Sequence, residues 1–138
     1  IKFISMERQF QNDKSLKIAY LIVLNVFKRS ISIRHSKASK SINYASLSIA
    51  DKAKCNDLVQ TTIRFTVYLN KWINRKKKGR LRVETFCLLR LALTDIFIRK
   101  IKKHVLLNKY SDLAVSLERT KHSKNYLRHF IHLAYAKK

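Results

Sequence analysis

The residues of this chain best suited to chemistry are lysines and arginines that recur in short blocks. The densest block spans residues 71–82 and has seven bases in twelve residues: Lys71, Arg75, Lys76, Lys77, Lys78, Arg80 and Arg82. Closely spaced cations of this kind can bridge successive phosphates of a nucleic acid. We therefore predict that this block is the main phosphate-contacting site.

Two weaker basic segments carry the same sign of charge. No Asp or Glu occurs from Lys14 through Ala50, and residues 28–50 are rich in serine. Residues 30–34 alternate between polar and apolar side chains, which predicts a short strand or extended arm. We favour an arm that becomes ordered on a phosphate backbone over a flexible, solvated loop. The additional predicted RNA-binding residues are Lys28, Arg29, Arg34, Lys37, Lys40, Lys121, Lys124 and Arg128.

Catalytic and metal-binding patterns are weak. Most of the eight acidic residues lie near predicted helix starts, where capping and the helix dipole explain them. No acid/base pair and no nucleophile elbow stands out, so we predict that the protein is not an enzyme. His122, His129 and His132 could share a helical face, but no carboxylate completes a metal site and neighbouring bases would repel a cation. We expect no metal, no cofactor and no small-molecule substrate.

Cys55 and Cys87 are 32 residues apart and belong to no C-x-x-C motif. Structural zinc sites use four ligands in paired short spacings, which this chain lacks. We expect both cysteines to be buried as small apolar side chains, although this spacing leaves a disulfide open.

The composition predicts helices. The 138 residues are 46% hydrophobic and include one Gly and no Pro. So few turn-forming residues disfavour a many-stranded fold, and one glycine cannot form a Gly-rich phosphate loop. The net charge of +23 opposes compaction and predicts a polyanionic partner.

Hydrophobic periodicity locates the elements. Residues 6–29 predict a buried helix, although β-branched residues leave a strand open. Amphipathic stripes predict helices near 51–75, 81–108 and 112–136, with Ser111 as the N-cap of the last. Ser48 and Asp51 resemble a capping box before the first of these helices. The 81–108 helix is apolar on nearly every face, which predicts a central position in the core. We expect Trp72 to pack in the core and Gly79 to form a left-handed helix stop or tight turn. The predicted fold is mainly α: one domain of residues 1–138, a small single-core helical bundle with a basic extended arm at about 28–50.

This interleaving of a helical core with a basic surface resembles ribosomal proteins as a class. Asn70-Lys71, followed by Lys77-Lys78-Gly79-Arg80, is similar to the amino-terminal helical region of the seventh small-subunit ribosomal protein. Arg128-x-Phe130-x-His132 is similar to the tail of that family. The class resemblance implies a structural rRNA-binding component whose partners are rRNA and neighbouring ribosomal proteins. Abundant residues with AT-rich codons indicate an AT-rich gene, as in many organelles, parasites and endosymbionts. Among these sources we favour a mitochondrial or other organellar ribosome.

Two alternatives remain open from the sequence. One is a nucleic-acid packaging or regulatory protein, and the other is a basic accessory subunit of an organellar membrane complex that contacts anionic lipid. The apolar run at residues 18–27 has ten residues including an Asn, which is too short for a transmembrane helix of about 20 residues. We therefore expect no transmembrane segment.

Overall fold

The structure is a computed structural model that describes residues 14–117 and 120–136. Within these ranges it has no β-strand, and its seven α-helices confirm the predicted mainly α fold. The helices are α1 (Lys14–Arg29), α2 (Ile33–Ala38), α3 (Ile49–Arg64), α4 (Thr66–Lys76), α5 (Val83–Phe97), α6 (Lys103–Ser116) and α7 (Lys124–Ala136). Short 3₁₀ turns lie at Tyr44–Ser46 and Lys121–Ser123.

Helix α5 is the centre of the core. From Glu84 through Ile96 every residue except the half-buried Phe86 is buried, and α1, α3, α4, α6 and α7 all pack against this helix. Apolar side chains around nearly its whole circumference explain this position, because each face can bury surface against a different neighbour. The sequence-based prediction of a central helix in this region is confirmed.

Two predicted long helices are broken, so the boundaries 51–75 and 81–108 are wrong. The first breaks at Phe65, between α3 and α4.

The second predicted helix ends at Phe97, and Lys100 adopts a positive φ of 56° before α6 begins. The amides of Ile98 and Arg99 both donate to the carbonyl of Thr94, and the amide of Ile101 donates to that of Asp95, which satisfies two carbonyl groups at the end of α5. A left-handed residue after a helix is usually Gly, so a Lys there gave no stop signal.

The predicted start of the last helix is also wrong. Ser111 and Asp112 lie inside α6, and the last helix begins at Lys124. Ser111 is buried and cannot be an N-cap, because its backbone is in the interior of a helix.

The segment predicted as an extended arm is largely folded onto the bundle. Residues 33–38 form α2, which packs on α1, so the strand-like conformation predicted for residues 30–34 is wrong. Ile42 and Leu47 are buried in the core cluster. These apolar side chains anchor a segment whose serine and lysine content alone predicted an exposed arm.

Several local predictions hold. Residues 14–29 are a helix, which excludes the strand alternative there, whereas residues 6–13 lie outside the described ranges. Ser48 caps α3 by accepting a hydrogen bond from the Asp51 amide at 3.1 Å. Gly79 adopts a φ of 76°, the left-handed conformation predicted for it.

No helix in residues 14–117 and 120–136 has the length and apolar character needed to cross a bilayer.

Both cysteines are free and buried, as predicted. Removal from water raises the pKa of each thiol to about 11. Because the thiolate is the reactive form, we expect iodoacetamide to modify neither thiol rapidly at pH 8 in the native protein. Rapid modification of both should follow in concentrated guanidinium chloride. Mass spectrometry of timed samples measures this, and equal rates in the two conditions would contradict the burial.

Candidate nucleic-acid interface

Three basic segments that are distant in sequence meet at the first turn of α5. Lys28, near the end of α1, donates from Nζ to Glu84 Oε2 at 2.9 Å. On the other side, the hydroxyls of Thr85 and Ser123 are hydrogen-bonded at 3.1 Å, which places the turn before α7 there. The loop at 77–82 runs directly into the same turn of α5. We name this surface the α5 corner, and its bases are Lys28, Arg29, Arg80, Arg82, Lys121 and Lys124.

The α5 corner has a strong excess of positive charge. All of its bases have exposed side chains except Lys28, which is partly buried by its pairing with Glu84. Glu84 is 5% exposed and lies in the first turn of α5, where a carboxylate also compensates the positive end of the helix dipole. Arg80, Arg82 and Lys124 can therefore neutralise an external polyanion.

Arg90 also belongs to this region, and it was not among the site residues predicted from the sequence. It is 8% exposed, and its guanidinium carbon lies 4.0 Å from the ring centroid of Phe27 and 4.2 Å from that of Phe86. Its Nε donates to Asn70 Oδ1 at 2.9 Å. Within the described ranges it forms no ion pair. Arg90 thus connects α1, α4 and α5 through stacking and one amide.

A signal for Arg90 does exist in the sequence, but it is incomplete. Phe86 precedes Arg90 by four residues, the spacing at which helical side chains touch. The contacts with Phe27 and Asn70 depend on tertiary packing, which no local spacing indicates.

The end of α4 carries the first part of the predicted main block. Trp72 makes edge-to-face contacts with Phe97 and Phe130, at centroid distances of 5.6 and 5.8 Å. This confirms its predicted packing role. Lys76 Nζ lies 6.0 Å from the Trp72 ring, and Arg128 is exposed on α7. The other bases of the block before Gly79 are exposed or half-buried: Lys71, Arg75, Lys77 and Lys78.

Another group of predicted residues is not brought to the α5 corner. Arg34, Lys37 and Lys40 lie on or just after α2. Lys37 Nζ lies 5.1 Å from the Tyr44 ring, and the Tyr44 hydroxyl accepts a hydrogen bond from Asn56 of α3 at 2.8 Å. These contacts place Lys37 against the first half of α3. The structure therefore divides the predicted basic residues between at least two surfaces.

The histidines give no sign of a metal centre. His122, His129 and His132 are all exposed. In the part of the chain that the structure describes, no group of three His, Cys, Asp or Glu side chains could hold a metal ion.

These features define a helical protein with a concentrated basic surface, the class to which many RNA-binding proteins belong. A family model, that of the NusB family, matches residues 14–126, and the chain belongs to this family. Searches among curated proteins and among solved structures give no significant match.

The family corrects the predicted ribosomal identity. NusB proteins are all-helical, RNA-binding factors of transcription antitermination, so the prediction of a structural ribosomal subunit is wrong. The similarity to the seventh small-subunit ribosomal protein is likewise overturned. Its motifs consist mainly of bases, which many proteins that contact phosphate have in common. Family membership does support the coarser prediction of RNA binding.

Replacing Arg90 with Lys tests whether the planar guanidinium matters beyond its charge. Arg90→Lys keeps the cation but loses stacking between two rings and the directed bond to Asn70. We expect the free energy of unfolding to fall by about 1–3 kcal/mol. Urea denaturation measures this. The control Arg82→Lys, at an exposed position, should change it by less than about 0.5 kcal/mol; equal losses in both variants would contradict the prediction.

Proposed function

We propose that this protein is a non-catalytic, RNA-binding regulatory factor of the antitermination type, which holds RNA phosphates across the α5 corner. The observation that carries this proposal is the convergence of three basic segments on the first turn of α5, in a chain that belongs to the NusB family. The regulatory alternative weighed from the sequence is thereby preferred to the structural one.

The charge distribution supports RNA phosphates as the ligand of this surface. Phosphate contacts supply affinity with little sequence dependence, and they need exposed cations that are not already paired. Arg80, Arg82 and Lys124 have exposed side chains and form no ion pair with the described residues. They come from two segments, so they can contact phosphates of different nucleotides.

A protein partner forms the second part of the proposal. NusB binds RNA together with a partner protein, NusE. We propose that this chain also binds a protein partner, because three apolar side chains at the start of α4 are exposed. Phe65, Val67 and Tyr68 are 39%, 68% and 54% exposed. Apolar side chains that are grouped at one exposed site favour a protein contact there. An organellar location rests on the coding bias alone and stays a prediction.

A double variant at the α5 corner tests the RNA proposal. Arg80→Gln/Lys124→Gln removes one base from each of two converging segments while leaving the buried core untouched. We expect weaker binding to single-stranded RNA. The slope of log K against log salt should flatten by about 0.7–0.9 for each lost phosphate contact. Fluorescence anisotropy at several salt concentrations measures both quantities.

The matched control is Lys102→Gln/Lys103→Gln, which removes the same charge at two exposed positions around the start of α6. Its salt slope should stay close to that of the wild type. If both variants lose affinity and slope equally, only net charge matters, and the α5 corner is not the site. Circular dichroism confirms that each variant keeps its helices.

A further inference from the structure

We propose that the protein has a second anion site, at the far end of α1 from the α5 corner, which binds a single phosphate group. The site is a cavity of about 60 Å³. Ser15, Lys54, Cys55, Arg99 and Lys109 contribute to its lining. This inference does not depend on the proposed role of the α5 corner.

The two surfaces are well separated. Ser15 lies in the first turn of α1 and Lys28 near its end. At a rise of about 1.5 Å per residue, these positions are about 20 Å apart along the helix. One RNA phosphate held at the α5 corner therefore cannot also occupy the cavity.

The three cations that line the cavity come from three parts of the chain. Lys54 lies on α3, Arg99 follows α5, and Lys109 lies on α6. Their convergence is a tertiary feature, unlike a run of exposed charges along one helix. Lys37 also acts electrostatically on Cys55, one of the lining residues, so a fourth cation lies nearby.

Only one of these cations lies within ion-pair distance of carboxylates, although Asp95 also attracts Lys109 electrostatically. Arg99 Nη1 donates to Asp95 Oδ1 at 3.2 Å, and Arg99 Nε lies 3.5 Å from Asp57 Oδ2. Within the described ranges Lys54 and Lys109 form no ion pair. Arg99 is thus held in place by two acids, while the two lysines bring positive charge that a bound anion would neutralise.

The size and chemistry of the cavity select a small oxyanion. Its volume exceeds the roughly 10–15 Å³ that one water requires, and it is far below the ~300 Å³ of a typical small-molecule site. The lining offers ammonium and guanidinium donors and the Ser15 hydroxyl. Among the described residues no acid lines the cavity, and its three cations disfavour a metal cation as the occupant. A phosphate group fits these conditions, either as the free ion or as part of an RNA chain.

Calorimetric titration of inorganic phosphate into the full chain, in phosphate-free buffer, tests the site. The wild type should show saturable binding at one site. Lys54→Gln/Lys109→Gln should raise the Kd at least about tenfold, because it removes two charge-assisted contacts. The matched control is Lys102→Gln/Lys103→Gln, which loses the same charge at two exposed positions around the start of α6 and should keep the wild-type Kd. Lys54→Gln alone, at an exposed position, serves as a second variant if the double one does not fold.

Competition with RNA distinguishes the two sources of phosphate. If the cavity holds an RNA phosphate, added inorganic phosphate weakens RNA binding at constant ionic strength in the wild type but not in the Lys54→Gln/Lys109→Gln variant. If it holds the free ion, RNA affinity is the same with and without phosphate. The proposal is overturned if the wild type shows no saturable phosphate binding, or if the cavity variant binds phosphate as tightly as the wild type. Failure of the α5 corner would appear instead as unchanged RNA binding by Arg80→Gln/Lys124→Gln.

Discussion

The packing of this protein depends on one buried cation that no carboxylate in the described ranges neutralises. Arg90 lies in an almost wholly apolar helix, and burial lowers the pKa of its guanidinium because water no longer stabilises the charge. The two phenyl faces and the Asn70 amide replace part of that solvation. Phe27 immediately precedes Lys28, and Asn70 immediately precedes Lys71. The cluster that stabilises Arg90 therefore also sets where two of the basic segments emerge from the core.

The two buried acids of α5 have related roles at its two ends. Glu84 holds Lys28 at the α5 corner, and Asp95 holds Arg99 beside the cavity. Asp95 is 1% exposed and also accepts a hydrogen bond from the Tyr110 hydroxyl at 2.6 Å. Burial raises the pKa of Asp95, whereas this bond and the positive charge of Arg99 favour its ionised form. A chain with few acids thus uses two of them inside the core to position bases.

The sequence predicted those features that are local. The all-round apolar character of α5, the stripe through Trp72 and the need for a left-handed residue at Gly79 each depend on neighbours within a few turns. The breaks at Phe65 and Lys100 were not predictable in this way, because neither position carries the Gly or Pro that usually ends a helix. The folding of residues 28–50 onto the bundle was missed because their charge outweighed the apolar side chains of Ile42 and Leu47.

The candidate site, like the fold, has some features that the sequence predicts and others that depend on tertiary packing. Charge density correctly indicated an RNA-binding protein, since any phosphate-rich partner selects for exposed bases. It could not distinguish a regulatory factor from a ribosomal subunit, because both contact the same backbone chemistry. The meeting of Lys28, Arg82 and Lys124 at one turn, and of Lys54, Arg99 and Lys109 at one cavity, is a property of helix packing. Sequence spacing contains no such information.

The stacked environment of Arg90 also bears on how this protein can change over generations. The chain has 20 lysines and 11 arginines, in keeping with a gene biased towards AT. Under such a bias, one G-to-A change converts some arginine codons to lysine codons. On the exposed surface this exchange preserves the charge and is tolerated, but at Arg90 it removes the planar group that two rings and an amide recognise. We therefore expect mutation to replace surface arginines with lysine but to leave Arg90 unchanged. An arginine that is retained in a lysine-rich descendant then indicates a position where the planar guanidinium is required.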